Sequence, residues 1–83
     1  MRYTVTWLPD AQNELAGLWM QAADRQAISA ASNRIDQLLA RVPLSVGTAQ
    51  GSDYRLVVGP LEVVYTVSPP DCLVEVLYVA LLP

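Results

Sequence analysis

Residues 54–67 read YRLVVGPLEVVYTV, and this stretch decides the fold. Two runs rich in β-branched and aromatic residues flank Gly59-Pro60, a connection so short that the runs must pair as an antiparallel hairpin. With Gly59-Pro60 as the loop, Val57 lies opposite Glu62 and Arg55 opposite Val64. Side chains alternate along a strand, so Tyr54, Leu56, Val58, Leu61, Val63, Tyr65 and Val67 share one apolar or aromatic face suited to a helical cover. Arg55, Val57, Glu62, Val64 and Thr66 share the other, mixed face, where chemistry or recognition would sit.

Downstream, Pro69-Pro70-Asp71 connects to a third strand over Cys72–Leu81. It is apolar on both sides, with Val74, Val76 and Tyr78 on one and Leu73, Leu77 and Val79 on the other. Glu75 is its one charge. An exposed strand of this kind invites association unless something covers it, so the expectation is a partner or a second copy.

Upstream, Tyr3–Trp7 (YTVTW) alternates as a strand. Pro9 and Asp10 open a helix, the proline preset for a first turn and the carboxylate complementing the helix dipole. Ala11, Leu15, Leu18, Trp19 and Ala22 form its apolar stripe. Gly17 within it is costly for a helix, and the close approach of a neighbouring helix would explain it. Asp24 N-caps a second helix whose stripe is Ile28, Ala31, Ile35, Leu38, Leu39 and Val42, and Pro43 stops it. The short link implies an antiparallel helical hairpin. Leu44–Ser52, with Gly47 and Gly51 among small residues, reads as a loop. The predicted architecture is α+β, in the order β-α-α-β-β-β, with the helical hairpin on one face of an antiparallel sheet that the N-terminal strand joins.

At 83 residues the chain makes one domain, 1–83. A hydrophobic fraction of 53% against 16% charged residues exceeds what one small core needs, which places the surplus at an interface. No apolar run reaches the about 20 residues of a membrane span, and MRYTVTW lacks the apolar region of a signal peptide. With one cysteine, Cys72, no intrachain disulfide framework exists, and the cytoplasm is the expected location. The net charge is −3, with five arginines, no lysine and no histidine. Direct nucleic-acid binding, which needs a clustered basic excess, is therefore not expected. Absent histidine removes the usual general base and the commonest metal ligand, so neither metal nor cofactor is expected.

The order of strand, helical hairpin and three-stranded meander resembles the RelE/ParE superfamily of bacterial type II toxins. The matching segments are YTVTWLPDAQNEL, YRLVVGPLEVVYTV and VEVLYV. The family's hairpin reads approximately YR…G-x-Y-R-V-x-Y and its last strand V-x-V-L-x-V-x-H-R. Tyr54, Arg55, Gly59, Val63, Tyr65, Val76, Leu77 and Val79 fit these patterns. Leu61 and Glu62 stand where the family repeats an aromatic-arginine pair. Leu81, Leu82 and Pro83 stand where many members carry a basic run, so a basic C-terminal segment is not expected.

The resemblance implies a toxin with a cognate antitoxin as partner, the antitoxin laying a segment across the exposed sheet edge and the hairpin groove. In the ribonuclease branch, basic residues of hairpin and tail are implied to activate the 2′-hydroxyl and stabilise the charged transition state. Of that set Arg55 remains, and Glu62 would oppose a phosphate. Protein binding, of an antitoxin or of a gyrase-type target, is therefore expected over RNA cleavage. The alternatives are a non-toxic interaction module or homodimer built through the last strand, and a ribosome-dependent ribonuclease using Arg55 with Tyr65 or Tyr78. The expected partner-binding residues are Arg55, Glu62, Val64, Leu77, Val79 and Leu81. Arg55 has a plainer role open to it, an ion pair with Asp53 or Glu62. Trp7 and Trp19 suit core or interface anchors. Arg25, Arg34 and Arg41 on the second helix form a solvated face or dock an acidic partner.

Overall fold

A computed structural model describes residues 2–82, so the terminal Pro83 lies outside the described residues. Strand β1 (Thr4–Trp7) leads into helices α1 (Pro9–Gln21), α2 (Arg25–Arg41) and α3 (Pro43–Val46). Strands β2 (Thr48–Gln50), β3 (Asp53–Val58), β4 (Leu61–Ser68) and β5 (Leu73–Leu81) follow, with one turn of 3-10 helix at Pro69–Asp71 before β5. The five strands form one sheet in the order β1-β5-β4-β3-β2. The expected α+β architecture holds, and the sheet is antiparallel except where β1 runs parallel to β5.

The hairpin register is the one read from the sequence: Val57 pairs with Glu62 and Arg55 with Val64. Its apolar face supplies Leu56, Leu61, Val63 and Tyr65 to the core. Ala11 of α1 and Ile28, Ala31, Ile35 and Leu39 of α2 cover them, together with Val74, Val76 and Val79 of β5. Burial of such side chains contributes roughly 1.5–3 kcal/mol each, which is what holds a chain of this size together. The Asp24 carboxylate accepts from the Ala27 backbone N–H at 3.0 Å, capping α2 as its position before the helix suggests. Val42, expected in the buried stripe, instead caps the other end of α2 and is 44% exposed.

Three readings are corrected. The stretch expected to be a loop holds the short helix α3 and the edge strand β2, with Gly51 at φ +63° in the two-residue turn to β3. Gly17 faces no neighbouring helix, since a Cβ there would meet nothing within 4 Å. Most consequentially, β5 is central in the strand order. Parallel pairing with β1, which includes Val5 opposite Val74 and Trp7 opposite Val76, covers its first part, Leu73–Val76, on one side, and β4 pairs along it on the other. Its apolar character on both faces is that of a central strand. The edges are β1 and β2.

Strand β5 also departs from simple alternation. Val64 pairs with Tyr78, but Tyr65 pairs with Val76, leaving Leu77 as a bulge. The bulge exchanges the faces beyond it. Val79, expected to point away from Val74 and Val76, joins them in the core at 1% exposure, and Tyr78 turns outward at 43%.

Candidate functional site

The outer face of the sheet, away from the helices, carries a cross-strand row. Thr48, Arg55, Val64 and Tyr78 are successive partners across β2, β3, β4 and β5. The bulge at Leu77 is what brings Tyr78 into line with Arg55. The second residue of interest, Glu62, lies opposite Val57 on the same face, two residues along β4 from Val64. There the Arg55 guanidinium donates to the Glu62 carboxylate in an ion pair. The hydrogen bond from Arg55 holds the Glu62 carboxyl below the ordinary carboxylate range, and the same bond and charge raise Arg55 further.

The two tyrosines named beside Arg55 in the sequence fall on opposite faces. Tyr65 is fully buried on the helical side, where its hydroxyl donates to the Pro43 carbonyl at 2.7 Å and its ring stacks on Tyr54. Burial chiefly, with Tyr54 adding to it, pushes the Tyr65 hydroxyl up to about 12. A group so placed neither reaches Arg55's face nor exchanges protons near neutrality. Of the expected partner-binding residues, Arg55, Glu62 and Val64 lie together on the outer face. Leu77 is half-buried at the bulge, and Val79 is core. Leu81 is exposed on the helical side, beside Glu14, Leu18 and Gln21 of α1. Among the described residues no group of three or more His, Cys, Asp and Glu could hold a metal ion, and no helix is long and apolar enough to cross a membrane.

A second surface lies between α1 and α2, on their solvent side. A groove of about 600 Å³ is lined by Leu15, Trp19 and Met20 of α1, by Ile28 and Ser29 of α2, and by Trp7 at the end of β1. Both indoles are pinned by hydrogen bonds: Trp7 Nε1 donates to Asp36 Oδ1 at 2.8 Å and Trp19 Nε1 to Ser29 Oγ at 3.1 Å. The Arg25 guanidinium lies 4.8 Å over the Trp19 ring, a cation-π contact that orders it further. Trp19 and Met20 are exposed. Held aromatics beside an open apolar floor suit the apolar stripe of a partner segment. The tryptophans were legible as anchors in the sequence; their convergence on one groove needed the packing of β1 against α2.

No protein-family model matches this sequence, and no curated protein matches it. Solved structures do resemble it. A chain of the toxin-antitoxin complex RelBE2 from Mycobacterium tuberculosis superposes with a TM-score of 0.80 at 21% identity, covering 98% of this chain and 92% of the other. The isolated E. coli RelE toxin superposes at 0.68 and 14% identity, over 98% and 85% of the two chains. A chain of the chromosomal ParDE system of P. aeruginosa does so at 0.69 and 14% identity, over 99% and 98%. Similarity extends over nearly the whole chain, so the chain has the fold of these RelE and ParE toxin structures.

Proposed function

We propose that this chain is the toxin-like component of a toxin-antitoxin pair and acts by binding proteins rather than by cleaving RNA. Its fold likeness to chains from toxin-antitoxin complexes supports the first half of that reading. The Arg55–Glu62 ion pair carries the second half. Phosphodiester cleavage needs cationic groups aimed at the charge that develops on phosphorus. On the outer face the one arginine is already neutralised by a carboxylate, and no histidine or lysine stands in for it. A fold does not bring its chemistry along when the reacting groups differ.

The groove between α1 and α2 is where the antitoxin segment docks, as a helix presenting apolar residues at a spacing of three and four to Trp7, Trp19 and Ile28. Co-expression with the small open reading frame beside its gene, followed by affinity purification, tests this. A stable complex is expected, with growth arrest on expression of the chain alone that the partner relieves. Recovery of no complex would remove the reading.

One observation favours a ribonuclease as the second reading: Tyr78 is exposed in the same cross-strand row as Arg55. That alternative requires mRNA cleavage on ribosomes which Arg55→Ala abolishes.

A further inference from the structure

Three of the five arginines converge at one place that the proposed antitoxin groove does not use. A cleft of about 590 Å³ beside the C-terminal half of α2 is lined by Arg2, Arg34 and Arg41, with Gln37 between the last two and Val42 as an apolar wall. Positions 34, 37 and 41 recur on one face of α2, and Arg34 and Arg41 stand about 10 Å apart along its axis, two helical turns. Arg2 comes from a different part of the chain. It is brought there because the Tyr3 backbone N–H donates to the Ala40 carbonyl at 2.8 Å, tying the lead-in to β1 onto the last turn of α2.

Arg2, Arg34 and Arg41 are not engaged in ion pairs among the described residues. Among the described residues the ion pair is Arg55–Glu62, and Arg25 is committed to Trp19 and to the Met20 carbonyl. The one carboxylate lining the cleft, Asp36, accepts from the Trp7 indole. Three guanidinium charges against the single Asp36 carboxylate leave the cleft net positive, a charge that an anionic ligand offsets. The rest of the molecule says which anion. The chain carries eight carboxylates and a net charge of −3, so a long phosphate backbone meets more overall repulsion than a short acidic stretch does. Guanidinium forks bind carboxylates in bidentate fashion, and about 10 Å corresponds to three residues of extended chain.

We infer that this cleft docks a short acidic segment of a protein partner, its carboxylates spaced to meet Arg34 and Arg41 with Arg2 closing over them. The inference rests on the reading that the chain works by binding a protein, and adds a second anchor point to the apolar groove.

The test uses the full chain and fluorescein-labelled hexaglutamate, followed by fluorescence anisotropy at low salt, with a labelled six-residue thymidine oligonucleotide as comparison. Saturable peptide binding is expected, weakened about tenfold or more in Arg34→Gln/Arg41→Gln and by added salt, and unchanged in Arg25→Gln. Arg2→Gln, on a separate element, should weaken it as well. Unchanged thermal melts of these surface variants exclude misfolding as the cause. Absent peptide binding, equal affinity in the double variant, or equal loss in Arg25→Gln overturns the inference. Tighter binding of the oligonucleotide than of the peptide overturns it in favour of nucleic acid. The readout needs no partner protein, so failure to recover a complex on co-expression sinks the toxin reading separately. A recovered complex whose affinity ignores Arg34→Gln/Arg41→Gln sinks the cleft alone.

Discussion

The Tyr65 hydroxyl lies against the α-carbon of Gly47, in the space a side chain at position 47 would occupy. The Arg55 carbonyl closes the same space from another side, 3.1 Å from where a Cβ would stand. Gly47 sits between α3 and β2, and its missing side chain lets β2 approach β3 while Tyr65 reaches Pro43. Gly47→Ala should therefore destabilise the protein by about 1–3 kcal/mol, because Tyr65 is fully buried and cannot swing aside. Chemical denaturation monitored by tryptophan fluorescence measures it. An unchanged midpoint would mean that β2 shifts freely.

Tyr65 itself gives an alkaline signature. Its folded-state value of about 12 lies above the ordinary 10.0. A group raised on folding contributes stability that is fully present below its unfolded value and is lost as pH rises through the folded one. Stability should fall between pH 10 and about 12, and of the four tyrosines one should form phenolate late, seen by ultraviolet absorbance. Tyr65→Phe should remove that late step. It should also cost about 1–3 kcal/mol at neutral pH, since the Pro43 carbonyl loses its donor inside the core.

The Arg55–Glu62 pair should be visible in a carboxyl titration by NMR. Glu62 should titrate below the ordinary range and return to it in Arg55→Gln. By the same linkage, a depressed carboxyl contributes stability above its unfolded value and loses it as pH falls through the lowered one. The pair is only partly buried on an open sheet face, so the unfolding midpoint at neutral pH should move little. Glu62→Gln should raise the affinity of the outer face for a short RNA, by releasing Arg55. Equal RNA affinity in both forms would mean that the carboxylate does not mask the arginine.

Trp19 is 41% exposed, yet hydrogen-bonded and stacked under Arg25. Trp19→Ala should weaken the complex recovered on co-expression by about 2 kcal/mol or more, as a central aromatic anchor does, with a much smaller effect on folding. Isothermal titration against the purified partner and a thermal melt separate the two. Equal affinity with and without the indole would move the docking site off the groove.

Much of the molecule was legible before its structure. The two-residue connection at Gly59-Pro60 admits one register, and the structure has it, Val57 opposite Glu62. That register alone forecast Glu62 as one of the two possible partners of Arg55. The Asp24 cap is equally local, a carboxylate three residues ahead of the N–H it accepts from. The apolar stripe of α2 followed from helical spacing except at Val42, where the chain leaves the helix.

What the sequence determined by itself is therefore whatever depends on neighbours a few residues away: turn register, helix caps, and which face of the hairpin is apolar. Tertiary structure alone decided the central place of β5, the parallel partnership with β1, the Leu77 bulge that trades Tyr78 for Val79, and the meeting of Arg2 with Arg34 and Arg41. These are pairings between segments tens of residues apart. Their free energy comes from surfaces that exist only once both partners are in place, so no local pattern announces them.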